Sequence, residues 1–409
     1  MPNISNVAQD LITIESILKE EYLSFVNNNL NVTPSPFLEM IKKEPLTAST
    51  GRFGARTGIG GGFGMSAERN PTPSAGAPLY NDFRYESKDG YVDVQISHKD
   101  IVLGQSNRSV LIDTVRDMMD ASYEAAEWNV SRMLFGDGKG VLAQITAAVT
   151  TSSPKIKVDD VTKLMTGLVI DIYAPAASVG TAPSTAAVQI IAIDENAKEI
   201  TLSANPTAAL SAATSSSYGF ITVQGSYGRE ITGLSSVFDD TVTSIYGVNK
   251  AANPWVKPYS VSAGHDIDDT KLTDAVSYAR DRRNTKIDLI MCSPSAYRAY
   301  EYYMKEGASN YNIVDKRKFV GGSTGYEILC GEQLVTIVRE KFVPDGKMWG
   351  VDSNQFTLRH TGWDFAAYKG DIFTLINGTS VYRALLANYM ELICKMPGGC
   401  IEITDCASA

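Results

Sequence analysis

Histidine is nearly absent: three residues in 409, His98, His265 and His360, lie far apart, and none has a second histidine or cysteine at ligand spacing. That leaves no His-built zinc or iron site to read, and no metal or cofactor is expected. Cysteine is sparse and late, at Cys292, Cys330, Cys394, Cys400 and Cys406, with no short-spaced pair. An odd set of this kind suits a reducing compartment better than a disulfide scaffold; a Cys394 to Cys400 bridge is permitted but not implied. No stretch of about 18 apolar residues occurs, and Met1 to Asp10 holds no basic segment followed by an apolar one. Neither a membrane span nor a secretion signal is legible. Positive charge is in deficit, 37 Lys and Arg against 46 Asp and Glu for a net charge of −9, which argues against a protein that grips phosphates to read nucleic-acid sequence. A soluble product made in the cytoplasm is the expectation.

What is present is globular: 44% hydrophobic and 20% charged residues, with 33 Gly and 20 Tyr, in a chain long enough for two to four domains. Val7, Leu11, Ile14, Leu18, Tyr22 and Phe25 recur at steps of three and four and predict an amphipathic helix over 5–27. Pro34, Pro36 and Pro45 then interrupt, leaving room for a short helix around Phe37 to Lys43, so the opening reads as an arm rather than a domain.

From Gly51 to Gly76 the chain is rich in Gly, Pro and Ser, including a glycine run over 58–64, and Tyr91 to Ser97 alternates like a half-buried strand. Folded back on itself, 52–100 would be a hairpin whose limbs, about 24 residues each, reach at most roughly 80 Å, against a radius of gyration near 22 Å for a compact chain of this length. A two-stranded ribbon is marginal alone in water and is expected to rest on another molecule.

Leu111, Val115, Met118, Ser122, Ala126, Val130 and Met133 predict one helix of about 27 residues, roughly 40 Å, ending at Gly136. Residues 155–224 turn rich in Ala, Ser, Thr and Val, with strands expected at 168–173, 188–193, 199–203 and 220–223, and read as an inserted β module. Beyond Gly233 the pattern becomes α/β: a helix over 269–282, a strand over 287–292, and Ser293-Pro294 opening a helix through Lys305. Strands follow from Tyr326, the last at 373–376, 384–393 and 400–404.

Five constellations invite chemistry. No frame of the 58–64 run gives the G-x-G-x-x-G of a dinucleotide site, and Gly136 to Gly140 follows a helix instead of opening one. Gly321-Gly322-Ser323-Thr324-Gly325 matches G-x-S-x-G, with Asp352 and His360 following in hydrolase order, so a serine hydrolase using Ser323 is the alternative from another class. Basic residues precede that motif and a β-like stretch follows it, which favours a glycine loop. Asp266, Asp268 and Asp269 sit where helix-capping carboxylates belong, without the glycine and glutamate of a calcium loop. Lys88 on the ribbon is weighed as a cross-linking amine against a solvated surface lysine, and the latter is favoured.

The order arm, glycine-tipped ribbon, long helix closed by Gly136-Asp137-Gly138-Lys139-Gly140, α/β lobe and terminal strands resembles the major capsid proteins of tailed bacteriophages. Phe135 to Gln144, Gly233 to Asp239 and Pro344 to Trp349 are the local stretches that carry it. The resemblance covers essentially the whole chain and implies an α+β fold of the Hong Kong 97 type. It implies an N-terminal arm (1–50), an extended loop (51–100), a peripheral domain on the spine helix (101–154 and 225–259), a β-rich insertion domain (155–224) and an axial domain (260–350). Residues 351–409 would return as strands shared by the peripheral and axial domains. It further implies a homo-oligomer of hexamers and pentamers that encloses double-stranded DNA without reading its sequence. Portal and scaffolding proteins, and in some members a decoration protein, would be partners; assembly would take place in the bacterial host cytoplasm, with no membrane involved. An encapsulin-like compartment shares the fold and stands as the nearer alternative, expected to be shorter, to lack the insertion and to hold enzyme cargo. The family carries no catalytic residues to transfer. Candidate intersubunit contacts are Leu11 and Leu18 on the arm and Phe53, Arg56, Phe63, Arg69, Arg84 and Lys88 on the ribbon.

Overall fold

The computed structural model describes residues 35–58, 60–66, 68, 74, 76–99, 101, 108–210, 218–265, 267–306, 316–318, 324–330, 332–366 and 372–406. Buried apolar side chains fall into three clusters, the first of which also takes in one face of the seven-stranded sheet through Leu289, Met291, Val338, Trp349 and Val351.

The first cluster is organised by the strand Val381–Cys394, long enough to serve neighbours on both edges. Phe356–His360, Asp364–Phe365 and Phe373–Leu375 pair antiparallel with successive parts of it. Lys88–Ser97 pairs with it from Met390 to Val381. The alternation read at Tyr91 to Ser97 is therefore real, but its cause differs from expectation. This strand is a member of the body's sheet and not the second limb of the ribbon.

The chain 35–45 also belongs to the body. Phe37 and Leu38 are wholly buried, the Phe37 ring meeting Phe135 and Phe356 edge-on at 6.0 and 5.4 Å. Lys42–Pro45 adds a parallel strand beside Phe356–His360, with Pro45 at a sheet edge where its missing N–H costs nothing. The arm expected over 1–50 thus ends in core, while its amphipathic helix over 5–27 lies outside the described residues.

The long helix is Arg108–Leu134. Its buried row is Met119, Tyr123, Ala126, Val130 and Leu134, whereas Met118, placed on the core stripe by sequence, is 42% exposed. Alanines at 121, 125 and 126 flatten the contrast between faces, so the apolar periodicity fixes the helix but not its rotation. The turn that closes it is made at Gly138 and Gly140, which take positive φ of 84° and 79°; Gly136, the expected position, does not.

Residues 141–223 form the second body. Its strands run in the order Val141–Ile145, Gly219–Val223, Val169–Tyr173, Thr185–Asp194, Glu199–Leu202, Lys155–Lys157. A bridge from Ile145 to Val158, with Thr146 N–H donating to Lys157 C=O at 3.0 Å, brings the last strand back to the first. The result is a barrel closed at that bridge and filled by Ile145, Ile170, Ile172, Ile190, Ile200 and Ile221. The barrel starts ahead of residue 155 because its first strand follows the helix-closing turn directly.

The third body is a seven-stranded mixed sheet centred on Leu289–Cys292, which is buried along its whole length. Such continuous burial demands cover on both faces. Helices Asp269–Arg283 and Pro294–Glu306 belong to this body. Asp268 caps the first, accepting from Lys271 N–H at 2.7 Å, and Ser293 Oγ accepts from Ala296 N–H at 3.3 Å to cap the second. Both caps are as the sequence predicts.

Candidate functional site

The ribbon is Thr50–Arg56 against Tyr80–Glu86, in register from Thr50 opposite Glu86 to Arg56 opposite Tyr80. Pairing continues through Thr57 N–H to Leu79 C=O and Gly76 N–H to Gly61 C=O, both at 2.9 Å, giving about 12 residues a side and roughly 40 Å. Glycine is required where the limbs close, since a Cβ on Gly76 would stand 2.5 Å from the Gly61 nitrogen.

Strand alternation gives the ribbon's root two unlike faces. Inward, Phe53 stacks on Phe83 at 4.9 Å, and Phe83 meets Trp255 and Tyr246 edge-on at 5.6 and 6.0 Å. Outward, Arg52, Arg56 and Arg84 are exposed. Further along, Phe63 and Met65 are 92% and 93% exposed. Of the sequence-selected contact residues, Arg56, Phe63 and Arg84 are exposed. Phe53 is half-buried, its ring packed against Phe83 and Tyr246 of its own chain. Lys88 sits at the ribbon's root as the first residue of Lys88–Ser97, 3.8 Å from Glu86, and not on the overhang. Leu11, Leu18 and Arg69 lie outside the described residues.

Sequence reasoning missed the junction where the long helix, the exit from the barrel and the long strand meet. Arg132 donates through both terminal nitrogens to Glu230, Nη1 to Oε2 at 3.0 Å, and each side chain is only 3% exposed. Ser235 Oγ donates to Phe135 C=O at 2.7 Å, and Thr232 N–H donates to Glu391 Oε1 at 2.7 Å. These partners lie 98 to 159 residues apart, and no local spacing announces them.

Burial pushes the Glu391 carboxyl up to about 7, against the pull of the Thr232 N–H and the Lys88 charge; Arg359 is its cross-strand neighbour. The folded state therefore favours the neutral acid. Its stabilising contribution is present below pH 4.5 and is lost as pH rises through about 7, a swing on the order of 3 kcal/mol. Glu391→Gln is expected to match the parent protein in urea midpoint at pH 4.5 and to exceed it at pH 8. Midpoints that track one another across that range would rule this out.

The flanks of the serine motif are not those of a hydrolase elbow. Lys316–Lys318 and Thr324–Cys330 are antiparallel neighbours, so the stretch holding Ser323, itself outside the described residues, joins strand to strand where a nucleophile elbow joins strand to helix. Asp352 caps the turn Ser353–Gln355, accepting from Asn354 N–H at 3.0 Å. His360 ends a strand of the other sheet, its pKa pushed down by burial and by Lys43. The loop at Gly136 to Gly140 borders a cavity of about 270 Å³ lined by four carboxylates, Asp137, Asp159, Asp239 and Glu230, against two cations, Arg132 and Lys163, an acidic balance that disfavours a phosphate. The five cysteines are free and buried; burial pushes the Cys330 and Cys406 thiols up to about 11 and 12, so neither is a ready nucleophile. Among the described residues, no cluster of His, Cys, Asp and Glu could hold a metal, and no helix is long and apolar enough to cross a membrane.

No family model matches the chain, and no curated protein matches it in sequence. Its fold, however, is similar to solved shells. The cyanophage A-1(L) capsid asymmetric unit aligns with a TM-score of 0.54 at 10% identity, covering 92% of this chain and 94% of that one. The holo-SrpI encapsulin complex from Synechococcus elongatus PCC 7942 aligns at 0.47 and 9% identity, covering 91% and 88%. The capsid of an empty GTA particle aligns at 0.46 and 8%, covering 91% and 90%. The chain has the α+β capsid fold of the Hong Kong 97 type.

Proposed function

We propose that this chain, having a capsid fold along nearly its whole length, is the major capsid protein of a tailed bacteriophage. It assembles with copies of itself into hexamers and pentamers, and these close into an icosahedral shell around double-stranded DNA. The observation that carries this reading is the ribbon: Phe63 and Met65 stand almost fully in water at the far end of a two-stranded hairpin, apolar surface that makes sense only when another molecule covers it. Repeated head-to-tail contacts of this kind close into rings. The net charge of −9 suits an inner wall that encloses DNA without clamping it.

In this reading the role is structural and not enzymatic, and the mature location is the virion capsid. Residues 351–409 join the peripheral and axial bodies, and the barrel is the insertion domain. A portal and a scaffolding protein are the expected partners in the host cytoplasm, with a decoration protein as a further one. Negative-stain microscopy of the purified protein, with nuclease-protected nucleic acid assayed in the particles, is the test. Closed shells that protect DNA after packaging are the expected result. Shells holding an enzyme and no DNA would favour the encapsulin-like reading, and a protein that never forms particles would defeat both.

A further inference from the structure

Two of the five thiols meet. Cys394 ends the strand Val381–Cys394 of the first sheet, opposite Phe356, and Cys400 stands immediately before Ile401–Thr404 of the seven-stranded sheet. Between them the chain reverses through one tight turn, with Gly399 N–H donating to Met396 C=O at 3.0 Å and Cys400 N–H to Pro397 C=O at 3.2 Å. That reversal brings the Cys400 thiol into hydrogen-bond contact with the Cys394 sulfur, both side chains being buried. Cys406 is turned elsewhere, its thiol donating to Ile403 C=O at 3.4 Å.

The surroundings hold both cysteines in place. Tyr246 Oη accepts from Cys394 N–H at 3.1 Å and donates to Leu392 C=O at 2.8 Å, while Tyr259 N–H donates to Cys400 C=O at 3.1 Å. A Cβ on Gly398 would run into Trp255 C=O, and one on Gly399 into the Thr285 side chain, so the turn is packed tightly against its neighbours. Solvent is nonetheless one residue away: Lys395 and Met396, directly after Cys394, are exposed. A small oxidant has only that bend to cross.

We propose that Cys394 and Cys400 are a redox-closed staple, two thiols in a reducing medium and one disulfide once hydrogen peroxide reaches them. One sulfur attacks the peroxide O–O bond and becomes a sulfenic acid, releasing the first water; the second thiol then displaces that hydroxyl as the second water, and the Sγ–Sγ bond forms. Two thiols and one peroxide thus give one disulfide and two waters, with two electrons passing from sulfur to oxygen. Contact with Cys394 and burial push the Cys400 thiol well up, which keeps its thiolate scarce and the pair reduced where oxidant is low. Once formed, the bond ties the end of the first sheet's long strand to the start of a strand in the other sheet. The loop it closes is short, so its effect comes from fixing this crossing more than from chain entropy. The device belongs to the subunit itself, with or without assembly.

The test is peroxide treatment of the folded, full-length protein, followed by denaturation in iodoacetamide and tryptic digestion without reductant. Cleavage after Arg383 and Lys395 places Cys394 in the peptide 384–395 and Cys400 in 396–409. The expected product is those two peptides joined, lighter by two hydrogens than their sum and separated again by reductant. Because 396–409 also holds Cys406, fragmentation must put the bond at Cys400; Cys406→Ser should keep the link and Cys400→Ala should lose it. The oxidised parent should melt a few degrees above its reduced form, a shift that reductant reverses. Both cysteines recovered alkylated after peroxide, or a bond that maps to Cys406, would overturn the pairing. A linked protein that melts no higher than the reduced one would overturn the staple. The linked peptide is read from the unaltered chain, so the result does not depend on whether Cys400→Ala folds.

Discussion

Replacing residues 58–78 with Asn-Gly should leave a folded subunit that never closes into a shell. Thr57 N–H and Leu79 C=O are 2.9 Å apart, so the cut ends already face one another across a gap that a two-residue hairpin turn spans. Everything that anchors the ribbon stays: the paired strands Thr50–Arg56 and Tyr80–Glu86, and the stack of Phe53 on Phe83. What goes is Phe63 and Met65, the most exposed large apolar side chains described. Melting temperature should therefore hardly change, while sedimentation and electron micrographs lose closed particles entirely. Particles of ordinary size from the shortened chain would show that the overhang plays no part in closure.

The second large effect is expected inside the subunit. Arg132→Met removes the cation from a pair whose members are each 3% exposed, leaving Glu230 charged and buried without its partner. Such a loss typically costs about 3 to 5 kcal/mol, and the urea midpoint should fall accordingly. Adding Glu230→Leu to the same chain should recover a good part of it, since two apolar groups leave no stranded charge. A change below about 1 kcal/mol for the single variant, within the range of an exposed pair, would mean that water reaches the junction freely. Hydrogen exchange would place the damage, with the end of the long helix and residues 230–235 opening first.

Local chemistry was legible in the sequence, and long-range closure was not. The caps at Asp268 and Ser293 depend on residues three apart, and the strands of 169–223 on β-prone runs of a few positions, so local pattern alone recovers them. The long helix was found by its period but set at the wrong rotation, because alanine is nearly neutral between core and solvent. The ribbon was overestimated for a different reason. Tyr91 to Ser97 has the pattern of any half-buried strand, and only Val381–Cys394, nearly 300 residues later, decides which sheet it joins. Phe53 shows the same limit at the candidate contact surface: an aromatic on a ribbon looks like an anchor for a neighbour until Tyr246 and Trp255 are seen to lie beneath that ribbon face. Glu230 and Glu391 had no local signature at all, since a buried carboxylate is recognised by what surrounds it in space.

The barrel enters and leaves the body side by side. Val141, at its start, lies opposite Thr222 near its end, and directly beneath that neck Arg132 and Glu230 tie the two chain segments together. Whatever occupies 141–223 thus presents the rest of the subunit with one short, fixed span. Mass can be added, exchanged or lost at that port without moving the helix, the sheet or the ribbon. Sequence change at that port is thereby uncoupled from the geometry of the rest of the subunit.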